Sequence, residues 1–321
     1  MFQADNIGVS KDIATGIAIT MIIYAISAHM PIIGFFCSLL LPLPVLFYRS
    51  KLGRKNGLLI PVAAMIIMLF TSGTFSMDLM FFMELLLIGF LLSELFELNL
   101  TVEKTILYTC SAILIIGLVG LIFYSNVAGK AIHLIVSNYI AKNLEMTMAL
   151  YQSMGVPEES MAKLSKSLDQ IRYVFIRILP ALVIASSLFV TWFNLLMARS
   201  ILIKRGLFFP DFGALNLWKA PEVLVWLLIG SGVLLLIPSG ATKIVGLNCL
   251  LVILVFYFFQ GIAVVSFFFE KKRFPRFLRL IFYALLAVQQ LFLLFVIGLG
   301  LFDMWLNFRK LNATNNDSAS T

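Results

Sequence analysis

An all-α fold, a polytopic bundle of membrane-spanning helices, is what this sequence predicts, and three observations carry the prediction. Hydrophobic residues make up 61% of the 321 and charged residues only 12%. A soluble globular chain is roughly half apolar and a quarter charged. The apolar residues gather in long runs, and a hydrocarbon core of about 30 Å needs about 20 helical residues to cross it. The basic residues sit in short clusters between those runs, as topology signals do.

Read in order, the runs predict nine spans: 12–29, 31–48, 58–73, 79–97, 105–125, 175–198, 222–238, 243–268 and 280–306. The first follows a short polar start with one lysine, Lys11, and no small-x-small cleavage site, so it reads as a retained span. Pro42 and Pro44 predict a broken or bent second helix, tolerated where neighbours satisfy the freed carbonyls.

The segment 127–174 is the one sizeable polar stretch. Ile132, Ile135, Tyr139, Met146 and Leu150 fall roughly on one helical face, and Gly155 ends that helix. Pro157, Glu158 and Glu159 open another, with proline at the first position and acids at the positive end. That helix is expected to run into 175–198, bending near Pro180. The result is an external amphipathic helical hairpin, either a lid over a cavity or a solvated interfacial loop. The expected division is 1–205 as a six-span bundle including the hairpin, 206–308 as three further spans, and 309–321 as a disordered tail.

Orientation follows from lysine and arginine. Arg49, Lys51, Arg54 and Lys55 form one cluster; Lys271, Lys272, Arg273, Arg276 and Arg279 form another; Arg199, Lys204, Arg205 and Lys219 flank a third. With Lys11 and Lys104, the nine-span reading puts 15 of the 24 basic residues on the side of the N-terminus. That side is therefore expected to be the cytoplasm of a bacterial inner membrane. Arg309 and Lys310 oppose the outside C-terminus this implies, so eight spans with an internal tail stay open. The net charge of +8 is accounted for by topology and anionic headgroups, with the lipid bilayer as partner and no nucleic acid.

An ionisable group in hydrocarbon costs a few kcal/mol even on lenient scales, which makes it a functional candidate. Glu84 is the sharpest case, about four residues from the middle of its span. Asp78 lies at the outer end of that span, Glu94 and Glu97 at the inner. Glu84 suits a cation, a proton or a cationic substrate; a protonated carboxyl bonded across to another helix is the plainer reading. Intramembrane amides add Asn194, Asn248, Gln260, Gln289 and Gln290, for which interhelical hydrogen bonds are the plainer reading. Asp303 lies near the outer end of the last span, and the four tryptophans mostly suit interfacial belts. Ala14-x-x-x-Ala18 and Ala181-x-x-x-Ala185 fit a small-residue packing pattern, and the first is a candidate docking face.

Enzyme signatures are lacking. There is no zinc signature, no G-x-S-x-G and no Walker loop, so no catalytic residue, cofactor or ATPase is expected within the chain. Cys37, Cys110 and Cys249 lie inside apolar runs without metal spacing, and His29 and His133 are the only histidines. No metal site is expected.

Four stretches, in this order, resemble the YybS-like family of bacterial membrane proteins of unknown function. They are Leu41-Pro42-Leu43-Pro44 with Gly53-Arg54-Lys55-Asn56-Gly57; Phe209-Pro210-Asp211-Phe212 with Leu217-Trp218-Lys219-Ala220-Pro221; Phe259-Gln260-Gly261-Ile262-Ala263-Val264-Val265 leading to Lys271-Lys272-Arg273 and Pro275-Arg276; and Gly300-Leu301-Phe302-Asp303 with Trp305, Phe308 and Arg309. That family is distantly similar to the substrate-binding membrane subunits of energy-coupling-factor vitamin transporters. The resemblance implies that the first six spans match those subunits, with the loop 127–170 outside. It further implies that Ala14 and Ala18 sit where their docking motif for a separate coupling subunit lies. The three C-terminal spans depart from the pattern. The expected function is a substrate-binding or transport-type membrane component without its own ATPase. Its candidate contacts are Glu84, Asp78, Asn194, Gln260, Gln289, Gln290 and Asp303. A membrane scaffold recruiting partners through basic cytoplasmic loops is the alternative. A binder predicts a polar cavity beside Glu84 or Gln289/Gln290; a scaffold predicts a dry bundle.

Overall fold

The computed structural model describes residues 2–310, and every regular element among them is helical. Residues 311–321 of the expected tail lie outside the described residues. The chain divides into two compact units, Met1–Arg177 with Ser186–Asp211, and Ile178–Ala185 with Phe212–Thr321.

The first unit is built from α1 (Phe2–His29), α2 (Pro31–Ser38), α3 (Pro42–Ser72), α4 (Met77–Phe96), α5 (Val102–Ala128), α6 (Ile132–Ser153) and most of α7 (Glu158–Lys204). Helix starts follow local chemistry. Ser76 accepts from the Leu79 amide at the head of α4, and Thr101 accepts from the Lys104 amide at the head of α5. Pro157 precedes Glu158 and Glu159 at the head of α7, which then continues through Pro180 without interruption. The break expected near Pro42 falls at Leu39–Leu41, between α2 and α3.

The 40 residues from Ile33 to Ser72 do not form one rod. Gly53 has φ 77° and ψ 176°, a region essentially reserved for glycine. A Cβ placed on Gly57 would lie 2.5 Å from the Cα of Arg49. Eight residues of straight helix would separate the two by about 12 Å. The chain therefore doubles back at Gly53, and α3 is two antiparallel helices. Both pack on α1, where Gly16 leaves room for Tyr48 of the first and Ile60 of the second. Gly89 of α4 sits against the Pro42 carbonyl.

The second unit holds a short 3-10 turn (Leu215–Leu217), α8 (Val223–Leu236), α9 (Gly240–Lys271), α10 (Arg276–Val288) and α11 (Gln290–Leu306). α8 packs along the first half of α9, with Gly246 against the Ser231 carbonyl. α11 packs along the second half. Gly261 rests on the Val296 carbonyl and Gly300 on that of Tyr257. A chain of rings, Phe269 to Phe282 to Phe292, joins the start of α11 to the end of α9, so α9 and α11 run antiparallel.

Six stretches are long and apolar enough to cross a membrane: Gly8–His29, Ile33–Ser72, Met77–Phe96, Val102–Ala128, Glu158–Lys204 and Gly240–Lys271. The pair α10 and α11, bent by 108°, brings the number to as many as seven. Two expected spans need correction. The run 222–238 yields α8, whose 14 residues reach about 21 Å and fall short of the hydrocarbon core. The run 280–306 is not one helix, because the chain breaks at Gln289.

Candidate functional site

Glu84 sits inside α4 on the side facing α5. A Cβ on Gly117 would lie 2.5 Å from its Oε1, so the carboxyl occupies a notch that only glycine leaves open. One turn away, the Met80 sulfur lies over Gly120 in the same way. The two glycines form a groove on α5 that receives α4. Glu84 is partly exposed and has no hydrogen bond or ion pair to any described residue. A carboxyl bonded to a neighbouring helix, the plainer expectation, is not what the structure contains.

A cleft of about 340 Å³ opens elsewhere in the same unit, between the last turns of α1 and α3. Met21, Tyr24, Ala25, Ala28 and His29 line one wall, Thr71 and Ser72 the other. Tyr24 meets Phe82 of α4 edge-on at 5.0 Å. Phe82 and Glu84 are two residues apart, about 200° around the helix. Glu84 thus faces away from this cleft, toward α5. Asp78, in the first turn of α4, accepts a 2.6 Å hydrogen bond from the Tyr139 hydroxyl of α6. Burial, then the Asp78 carboxylate, raise the Tyr139 pKa, so this donor keeps its proton well into the alkaline range. Arg172 of α7 donates to the Ser137 hydroxyl at 2.5 Å, tying the two helices of the 127–174 segment together.

Beside the Gly53 turn lies a charged cluster that sequence reasoning read only as a topology signal. Arg49 is 1% exposed. Its Nε and Nη2 bond Glu94 Oε1 at 2.9 and 2.6 Å, and Nη1 bonds Glu97 Oε1 at 2.5 Å and the Ser93 carbonyl at 3.0 Å. Arg54 adds a 3.3 Å contact to the other oxygen of Glu94, and Lys51 pairs with Asp12 of α1. The hydrogen bond from Arg49 holds the Glu97 carboxyl below the usual carboxylate range. The guanidinium fastens α3 to the end of α4 with nearly every donor satisfied, as a buried charge requires.

The second unit carries a buried polar network. Asp303 is fully buried; its Oδ2 accepts from Arg309 Nε and Nη2 at 3.1 and 2.6 Å and from Gln260 Nε2 at 3.4 Å. Arg309 also donates to the carbonyls of Asn216 and Trp218, and Gln260 Oε1 accepts from the Ala220 amide. The other Asp303 oxygen and the Tyr257 hydroxyl are buried without partners. The structure thus brings together Gln260 and Asp303 from the candidate set. Arg309, read from the sequence only as a charge opposing an outside C-terminus, is the clamp at the centre.

The remaining candidates are dispersed. Asn194 is buried and donates to the carbonyls of Val190 and Leu39, so it satisfies the backbone at the break before Pro42. Asn248 accepts from the Ala181 amide, the residue after Pro180. Gln289 and Gln290 stand exposed at the break between α10 and α11. Ala14 and Ala18 lie on an exposed face of α1, while Gly16 and Thr20 face the bundle. Trp192 and Trp218 are buried within the protein; Trp226 and Trp305 are exposed. Among the described residues, no three His, Cys, Asp or Glu side chains gather where a metal ion could bind.

Residues 18–304 match the model of a family described as Predicted membrane protein (DUF2232). No curated protein and no solved structure matches the chain.

Proposed function

The chain belongs to the DUF2232 family of membrane proteins, and we propose that it is a substrate-binding or transport-type component with no ATPase and no catalytic chemistry of its own. One observation carries the reading: an unpaired carboxyl at Glu84, held within a membrane-length helix against a glycine groove. Keeping such a group costs free energy that a fully bonded or apolar residue would not. The expense is explained if Glu84 receives a cation, a proton or a cationic substrate. Its role contrasts with that of Arg49, whose bonds are complete and structural. The exposed Ala14 and Ala18 face of α1 supports docking of a separate coupling subunit, as in the energy-coupling-factor subunits the sequence resembles.

Topology in this proposal takes eight crossings in a bacterial inner membrane, with an internal tail. Segments 33–52 and 54–72 count separately on account of the Gly53 turn. α8 completes its crossing with the non-helical chain before it, and α9 supplies the last. α11 enters from the cytoplasmic side without completing a crossing, because Arg309 after it bonds Asn216, which bonds Glu270 at the cytoplasmic end of α9. The N-terminus and the basic turns are cytoplasmic, and the hairpin of α6 with the start of α7 is external.

The scaffold alternative, recruiting partners through the basic loops, is separated by affinity purification of the tagged full chain from its own membranes in gentle detergent. Mass spectrometry of the proteins retained should find a coupling subunit with ATPases. Partners that include no ATPase, recovered equally with Glu84→Gln, would favour the scaffold.

A further inference from the structure

We infer that α10 and the turn before it form a docking surface for anionic phospholipid headgroups, with the helix lying in the membrane interface. The inference is independent of any transported substrate. It begins with direction. α11 runs antiparallel along α9, which is long and apolar enough to cross the membrane. α10 is bent by 108° from α11, so it lies close to the plane that α9 and α11 traverse.

The composition of α10 fits that plane. Arg276, Arg279 and Tyr283 recur at helical spacing on one side. Phe277, Leu278, Ile281, Leu285 and Val288 cover the other, and all are exposed. Within the unit that apolar face has no cover, and acyl chains at the headgroup boundary would supply it. Arg279 is spent on structure, donating to the carbonyls of Phe274 and Phe269 and so capping the end of α9. Lys271, Lys272, Arg273 and Arg276 are exposed and form no ion pair with any described residue. The acid nearest in sequence, Glu270, is engaged by the Asn216 side chain.

Four exposed cations without an acidic partner among the described residues, one of them (Lys271) resting over the Phe267 ring, lie beside an in-plane amphipathic helix and match the charge of anionic lipid. Each basic group near such a surface adds attraction that falls off within a Debye length. The positive-inside rule places this surface at the cytoplasmic leaflet.

The test uses the purified full-length protein in nanodiscs of phosphatidylcholine with 30% phosphatidylglycerol, followed by native mass spectrometry of the lipids retained on release. The quadruple variant Lys271→Gln/Lys272→Gln/Arg273→Gln/Arg276→Gln leaves Arg279 and the helix intact. It should retain phosphatidylglycerol at least about tenfold less strongly than the parent, with the parent's binding weakening as salt rises. A control, Lys130→Gln/Lys142→Gln/Lys163→Gln/Lys166→Gln, removes the same charge elsewhere and should retain the lipid as the parent does. Equal retention by parent and quadruple variant would overturn the proposal. So would an equal drop in the control, which would mean general charge attraction. An unchanged unfolding temperature of the quadruple variant in detergent separates lost binding from lost fold.

Discussion

Arg49 and Glu84 are both charged residues on membrane-length helices, and their surroundings assign them opposite roles. Arg49 is buried and bonded to two carboxylates and a carbonyl. Arg49→Gln loses the charge-assisted hydrogen bonds of a buried guanidinium to carboxylates that water still reaches, and should destabilise the protein by about 2 kcal/mol. Lysine should rescue only in part, since it cannot reproduce the forked contacts. The Glu97 carboxyl is held low by Arg49. A depressed carboxylate contributes stability above its unfolded pKa and loses it as pH falls through the folded value. Thermal stability should therefore fall on acidification below the ordinary carboxylate range, and less steeply in Glu97→Gln. Glu84 has no such bonds to lose. Glu84→Gln should leave the unfolding temperature unchanged or raise it, because a neutral amide removes the cost of a charge in hydrocarbon. A clear drop would mean the carboxyl is structural.

At the scale of elements, two close approaches decide the architecture. The backbone at Gly53 suits glycine alone, so Gly53→Ala should cost about 2 kcal/mol, read as lost thermal stability in detergent. Gly300 meets the Tyr257 carbonyl and the Gly261 amide, so Gly300→Leu should force α11 off α9 and cost about 3 kcal/mol. Neither element was fully legible beforehand. Apolar runs reveal helices because hydrocarbon demands them, and α4 and α5 match their expected runs to within about three residues at each end, whereas the run 31–48 is divided between α2 and α3. The break at Gln289 carries neither proline nor glycine, so nothing local announces it. The run 222–238 counts enough apolar residues, yet Pro221 and Pro238 bound a helix of 14. Arg49 reads as a loop cation because its partners, Glu94 and Glu97, lie 45 and 48 residues further on. Arg309 likewise becomes a clamp only when the chain at 216–218 arrives beside it.

For the whole molecule, all-helical membrane character was written in composition, whereas a ligand was not. Spacing identified Glu84 as costly, but only the fold reveals the glycine notch of α5 that holds it. The proposed topology predicts that cysteines introduced at Ser239 and Gly129 react with an impermeant thiol reagent from outside, and one at Gly53 only from inside. Labelling from the opposite sides would overturn the orientation.

The most direct test of the binding role is a small-molecule and cation screen by thermal shift on the purified full chain. It compares the parent with Glu84→Gln and with Gly117→Ala, whose added methyl would crowd Oε1. A ligand that stabilises the parent should lose most of that effect in both variants. A ligand that stabilises all three equally would contradict a binding role for Glu84 and return it to the structure of the bundle.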